Sequence, residues 1–120
     1  GGIKIGTFAR DLSTATGTQA ITGVGFKPSH IVFMACKDNV VGEMSIGFDD
    51  GTTHVCIYDD YGTNVHTWTS NATKSIIVLA TGSDNSTAYV SAIGADGFTL
   101  TWVKAGGPTG TEKLFYLAFR

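Results

Sequence analysis

Short runs of alternating apolar and polar residues fill most of this chain, and β-branched or aromatic side chains dominate the apolar positions. A period of two indicates strands, and no segment shows the period of about 3.6 residues that indicates a helix. Turn sequences recur about every ten residues, which is typical of a sandwich or barrel. The predicted strands are Ile3–Phe8, Thr18–Thr22, His30–Cys36, Glu43–Phe48, Thr53–Tyr58, Val65–Thr69, Ser75–Ala80, Ala88–Ile93, Phe98–Val103 and Lys113–Arg120.

So many short strands do not fit one flat sheet in a chain of 120 residues. We therefore predict an all-β fold, in which two antiparallel sheets pack as a jelly-roll-like sandwich. A chain of this length forms one domain. Residues 1–8 are expected to form an N-terminal arm or first strand, and residues 9–120 the sandwich. The glycines of the arm make it flexible, and Ile3 and Ile5 are expected to anchor it as an added strand on a neighbouring subunit.

Three predicted strands are apolar on both faces, although a strand with one face in water should alternate. They contain the runs Ile31–Met34, Ile76–Leu79 and Leu114–Leu117. Either loops and a central position in the sheet cover the second face, or other subunits cover it. The second interpretation predicts an oligomer or part of an assembly. Its candidate interface residues are Ile3, Ile5, Val32, Met34, Phe115, Leu117 and Phe119.

Composition excludes several classes of partner. Charged residues make up 15% of the chain, and the net charge is −2. Lysines and arginines are scattered singly, so no basic stripe predicts nucleic-acid binding. No apolar run approaches the roughly 20 residues of a membrane-spanning helix, and the start, GGIKIG, lacks the regions of a secretion signal. Cys36 and Cys56 show no zinc or redox spacing and are expected to be buried free thiols.

Two acidic turns are the candidates for metal or acid–base chemistry, Asp49-Asp50-Gly51 and Asp59-Asp60-Tyr61-Gly62. Calcium takes about six to eight oxygen ligands, but the intervening strand separates the two turns by roughly 25 Å. Aspartate and glycine are also ordinary turn residues. His30, His54 and His66 show no metal-ligand spacing, and no serine or cysteine lies in a nucleophile motif. We therefore predict no metal, no cofactor and no catalysis.

Aromatic residues are the remaining candidates for binding. Trp102 follows Leu100 by two positions on one strand face and is predicted to lie in the core. Trp68 lies between two threonines and is a candidate for exposure, where its ring can stack on a sugar. The candidate glycan-binding residues are Trp68, Tyr61, Asp59 and Asp60.

Several motifs resemble those of small virion proteins of tailed bacteriophages. Those proteins pair a Thr-Gly-hydrophobic-Gly-Phe-x-Pro element with an apolar strand, and they close with Gly-Phe-Thr-Leu-x-Trp and a Tyr-Leu-Ala strand. The matching segments here are Gly17–Pro28, Ile31–Phe33, Ser45–Asp49, Gly97–Trp102 and Phe115–Ala118. The matches extend from near residue 7 to the C-terminus, and they consist mostly of turn and core residues.

The resemblance implies a virion structural protein made in the host cytoplasm. The charge and apolar patterns give the further expectation of no nucleic-acid and no membrane partner. The first hypothesis is a capsid decoration, or cement, protein that forms homotrimers and ties neighbouring major capsid subunits together. The alternative is a carbohydrate-binding module of a tail or head fibre, which recognises glycans of the host surface.

Overall fold

The computed structural model describes residues 2–37, 40, 42–60 and 65–120. All ten predicted strands occur within these ranges, and no helix does. Their bounds are β1 Ile3–Asp11, β2 Gly17–Ile21, β3 His30–Cys36, β4 Ser45–Asp49, β5 His54–Asp60, β6 Thr67–Asn71, β7 Ile76–Leu79, β8 Asn85–Gly94, β9 Gly97–Ala105 and β10 Thr111–Phe119. Alternation and turn residues therefore located every strand that the structure describes.

The strands form two antiparallel sheets that pack face to face, which confirms the predicted two-sheet sandwich. The six-stranded sheet has the order β1-β10-β3-β4-β5-β6, and the four-stranded sheet has the order β2-β9-β8-β7. Consecutive strands are neighbours from β3 to β6 and from β7 to β9. Strand β10 pairs with both β1 and β3, so the first and last strands of the chain lie side by side in the larger sheet.

Aromatic and aliphatic side chains from both sheets fill the space between them. Trp102 is fully buried, as predicted, and its indole N–H donates a hydrogen bond to Gln19 Oε1 at 3.0 Å. The ring of Phe98 meets those of Phe33 and Tyr116 edge to face, with centroids 5.6 and 5.4 Å apart. Edge-to-face contacts at this distance are favourable aromatic packing. The inner faces of both sheets are therefore covered within one chain.

Strand β4 alternates, as predicted, but its apolar side chains point away from the core. Its core-facing positions are small or polar: Ser45, Gly47 and Asp49. Ile46 and Phe48 lie on the other side of the sheet. The Ser45 hydroxyl accepts a hydrogen bond from the N–H of Ile77 on β7 at 3.3 Å, which fixes this orientation across the sandwich. A half-buried strand normally turns its apolar side chains inward. Strand β4 does the reverse, so it adds exposed apolar side chains to the outward surface of the larger sheet.

The N-terminal segment belongs to the sheet of its own chain. Strand β1 pairs with β10 along its whole length, from Ile3 opposite Phe119 to Asp11 opposite Thr111. The expectation of a flexible arm that adds to a neighbour therefore does not describe this structure. Ile3 and Ile5 are instead fixed in an edge strand, where both side chains are exposed.

The expectation of two buried thiols holds for only one cysteine. Cys56 is buried on β5, whereas Cys36 at the end of β3 is exposed, and both are free thiols. Burial raises the pKa of Cys56 to about 11. Because the thiolate is the reactive form of cysteine, Cys56 is chemically inert at neutral pH.

The glycine turn in the first phage-like motif is held by a single aspartate. Gly23 and Gly25 have positive φ angles of 81° and 89°, a conformation that favours glycine. Their N–H groups donate hydrogen bonds to the two carboxylate oxygens of Asp96, at 3.0 and 2.7 Å. These bonds lower the pKa of Asp96. The motif thus anchors the connection between β2 and β3, and its N–H groups are already occupied by an anion of the same chain.

Candidate functional site: an apolar outer face

The outward surface of the six-stranded sheet, here called the outer face, carries two ladders of side chains that cross the strands. One ladder consists of Thr7, Phe115, Met34, Ile46, Ile57 and Ser70. The neighbouring ladder consists of Ile5, Leu117, Val32, Phe48 and Val55. Opposite side chains on adjacent strands lie about 4.5–5.5 Å apart, close enough to touch. Both ladders are therefore continuous, and neither contains a charged residue.

The area of the outer face is large for so small a chain. Eight large apolar side chains of the outer face, including Ile3 and Trp68 at its margins, expose between 37 and 64% of their surface. At about 150–250 Å² for an aromatic side chain and somewhat less for an aliphatic one, these roughly half-exposed residues leave on the order of 800 Å² uncovered. The largest apolar patch on a typical monomer is about 300–600 Å². The outer face therefore has the dimensions of a protein interface.

The outer face contains two shallow depressions. One, of about 510 Å³, lies over β4, β5 and the end of β6, and its mostly apolar lining includes Val32, Ile46, Phe48, Val55, Ile57 and Ala72. The other, of about 460 Å³, lies on β1 and β10 beside Phe115. The face therefore offers a hollow on each half of the sheet.

The outward surface of the four-stranded sheet has a different chemistry. Its exposed or half-buried positions are largely threonines: Thr18, Thr87, Thr99 and Thr101. Threonine combines high strand propensity with a hydroxyl that hydrogen-bonds water. This surface is the ordinary wet face of a sandwich. The contrast shows that the apolar character belongs specifically to the larger sheet.

All seven residues proposed from the sequence as interface candidates lie on the outer face. They share it because β1, β3 and β10 are adjacent in the sheet, an arrangement that the sequence did not show. The four further apolar residues of the ladders were missed: Ile46, Phe48, Val55 and Ile57. They were missed because apolar and polar residues alternate in these two strands, as they do in a strand with one face in the core and one in water. For the doubly apolar run Ile76–Leu79 the alternative explanation applies: its second face is covered within the chain, because Ile77 on β7 is buried.

The first acidic turn has a structural role. Asp49 is fully buried, and its Oδ2 accepts hydrogen bonds from the N–H of Val90 and from Nδ1 of His54, both at 2.8 Å. Its Oδ1 accepts a third bond, from the N–H of Gly51 at 2.8 Å. Val90 lies on β8 beside the bulge at Ser91, so this carboxylate connects the two sheets. Among the described residues, no group of three or more acidic, histidine or cysteine side chains is placed to hold a metal ion.

The candidate glycan-binding residues are only partly brought together. Trp68 is 54% exposed, and it lies directly opposite Asp59 on β5. Asp59 is buried, and its Oδ2 is 2.6 Å from Nδ1 of His66. Asp60 is half-buried at the end of β5, and Tyr61 lies outside the described residues. The structure thus presents one exposed aromatic ring, without a second described candidate that is exposed beside it.

A group of ionisable side chains is buried at one end of the sandwich. Glu112 is fully buried opposite Arg10 on β1, and neither carboxyl oxygen has a hydrogen-bond partner among the described residues. Burial, and secondarily the charge of Glu43, raises the pKa of Glu112 to about 8. Lys37, which lies 3.2 Å from Glu43, opposes this shift. Glu112 is therefore protonated at neutral pH and behaves as an uncharged core residue.

The state of Glu112 predicts how stability depends on pH. Folded Glu112 keeps its proton up to about pH 8, whereas the unfolded chain releases it near the ordinary value of 4.5. The free energy of unfolding should therefore fall as the pH rises between these values, by at most about 1.4 kcal/mol per pH unit. Glu112→Gln should flatten this slope in urea unfolding across that range. The control Asp11→Asn should retain it, because hydrogen bonds from Ser13 lower the pKa of exposed Asp11. An unchanged slope in Glu112→Gln would contradict the assignment.

The described residues thus define an all-β sandwich whose larger sheet bears the apolar outer face. No helix long and apolar enough to cross a membrane occurs in the described ranges. Comparison with protein-family models, with curated proteins and with solved structures finds no match for the chain. The outer face and the sequence motifs are therefore the features that indicate its function.

Proposed function

We propose that this chain is a structural protein of a tailed-bacteriophage virion, namely a capsid decoration protein without catalytic activity. The observation that carries the proposal is the outer face, with its two uncharged ladders and on the order of 800 Å² of apolar surface. An exposed apolar surface of this size marks a site of contact with other proteins. The phage-like sequence motifs support the further step that these other proteins are components of a virion.

A decoration protein stabilises a shell by binding the closed form. Each copy that bridges neighbouring major capsid subunits binds the assembled lattice better than separated subunits, so it raises the free energy needed to open the shell. Many copies, each with a modest contact, add up because neighbouring attachments raise one another's effective concentration. Rigid β structure suits this role, since little conformational entropy is lost when a preformed face binds.

Heat-triggered DNA release from virions tests this function. Particles that lack the chain should release DNA at a lower temperature than complete particles, and adding back the purified chain should restore the higher temperature. An unchanged release temperature would contradict a decoration role.

The second candidate, a fibre-borne glycan-binding module, is favoured only by exposed Trp68. It predicts normal release, defective adsorption to host cells and a further loss of adsorption in Trp68→Ala.

A further inference from the structure

We propose that the buried side chains of Arg10 and Glu112 form a pH-dependent switch at one end of the sandwich. While Glu112 is neutral, the guanidinium of Arg10 lies over the ring of Trp102. When Glu112 loses its proton, Arg10 leaves the ring and binds the carboxylate. The switch lies in the interior of the chain, goes beyond the proposed function and does not depend on it.

Arg10 and Glu112 lie directly opposite each other on adjacent strands. They are a registered pair of β1 and β10, and both side chains are buried, so both point to the inner side of the sheet. Side chains of such a pair have Cβ atoms about 4.5–5.5 Å apart. Among the described residues, neither carboxyl oxygen of Glu112 nor Nε of Arg10 has a hydrogen-bond partner. Buried polar groups are normally paired, so a donor and two acceptors within reach of each other are left unused.

The guanidinium of Arg10 is directed toward the four-stranded sheet instead. Its Cζ lies 5.1 Å from the centroid of the Trp102 ring, within the range of a cation–π contact. Its Nη2 donates a hydrogen bond to the carbonyl oxygen of Ala15 at 3.2 Å. This arrangement suits a neutral Glu112, because a buried carboxylate would need the adjacent cation as a partner. The position of Arg10 therefore depends on the charge of Glu112.

The charges on the inner side of this end leave Arg10 as the partner of an ionised Glu112. Burial and the charge of Glu43 favour the neutral acid and raise the pKa of Glu112 to about 8. Lys37 favours the ionised form. However, the ammonium of Lys37 lies 3.2 Å from Glu43 and donates a hydrogen bond to the carbonyl oxygen of Thr109 at 2.8 Å. Lys37 is thus engaged, whereas Nε of Arg10 has no acceptor.

Other charged residues of the neighbouring strands lie away from Glu112. Asp11, which follows Arg10 on β1, is exposed, and its carboxylate accepts hydrogen bonds from Ser13. Lys104 on β9 donates a hydrogen bond to the carbonyl oxygen of Ser13 at 3.2 Å. Lys113 is the next residue on β10 and is exposed on the opposite side of the sheet. None of these residues replaces Arg10 in the switch.

Ionisation of Glu112 reverses the preference of Arg10. A hydrogen bond between a guanidinium and a carboxylate is stronger than a cation–π contact with an indole ring, and arginine keeps its charge in proteins. The strands are already adjacent, so a change of side-chain rotamer is enough to bring the two groups together. Arg10 then releases the ring of Trp102 and the carbonyl oxygen of Ala15. The turn between β1 and β2 loses this bond to β1.

Nuclear magnetic resonance of the chain, titrated from about pH 6 to about pH 10, tests the switch. The signals of the Glu112 carboxyl carbon and of Arg10 Nε should shift together, with a midpoint near pH 8. Nuclear Overhauser contacts between Arg10 and the Trp102 ring should disappear above that midpoint. Glu112→Gln, which keeps a neutral side chain of the same shape, should retain these contacts throughout. Arg10→Gln should raise the midpoint of Glu112 by at least about one pH unit, because it removes the cation that stabilises the carboxylate.

Glu43→Gln provides the matched control. It removes the negative charge that disfavours ionisation of Glu112, so the transition should persist with a lower midpoint. Contacts between Arg10 and Trp102 that survive the ionisation of Glu112 would overturn the switch, and so would a Glu112 signal that does not titrate in this range. Both readings come from the unaltered chain, so they hold even where a variant does not fold. They are independent of the DNA-release temperature that tests decoration.

Discussion

Replacing Asp49 with alanine is expected to lower the free energy of unfolding by about 3–5 kcal/mol. The loss is large because one buried carboxylate accepts three hydrogen bonds and connects the sheets through Val90. Removing it leaves the N–H of Val90 and Nδ1 of His54 without this acceptor in a buried setting, where an unsatisfied polar group costs about 1–3 kcal/mol. Urea unfolding of the purified variant measures the effect.

The neighbouring aspartate provides a matched control. Asp50 is exposed, and its carboxylate accepts hydrogen bonds from Thr52 and Thr53 within the turn, at 2.9 and 2.6 Å. Asp50→Ala should therefore cost much less than Asp49→Ala, because water can replace the lost acceptor. Equal losses in the two variants would contradict the role of Asp49 as a connection between sheets. They would reopen the interpretation of Asp49-Asp50-Gly51 as a simple turn.

Replacing Gly47 with alanine is expected to cost at least about 3 kcal/mol or to prevent folding. A Cβ atom at this position would overlap the carbonyl oxygen of Ser75, so the backbone would have to move. Gly82→Ala is the matched control, because a Cβ there meets nothing within 4 Å. Thermal unfolding of both variants tests the prediction. A Gly47→Ala chain as stable as Gly82→Ala would show that β4 and β7 are not packed as described.

The sequence predicted the ten strands because local signals determine strands, but it did not predict the direction in which β4 faces. The alternation of Ile46 and Phe48 with polar neighbours is the same whichever side is buried. Orientation depends instead on partners far along the chain, including Ser75 against Gly47 and Val90 against Asp49. These contacts admit only small or polar residues on the inner side of β4. Such long-range contacts are not visible in a local pattern.

The candidate interface was predicted where strands were apolar on both sides, as in β3 and β10. The extension of the outer face across β4 and β5 required the strand order and register, which bring Ile46 beside Met34 and Ile57. The predicted N-terminal arm is not free in this structure. Ile3 and Ile5 reach the outer face through pairing of β1 with β10, not through a free arm.

Hydroxyl-radical footprinting of the chain, free and bound to virus particles, tests most directly whether the outer face contacts other virion proteins. Side chains on the outer face, Phe115 and Ile57 among them, should become less reactive when the chain is bound. Val103 on the opposite sheet should react at the same rate in both states. Unchanged reactivity of Phe115 and Ile57 on binding would contradict contact through the outer face.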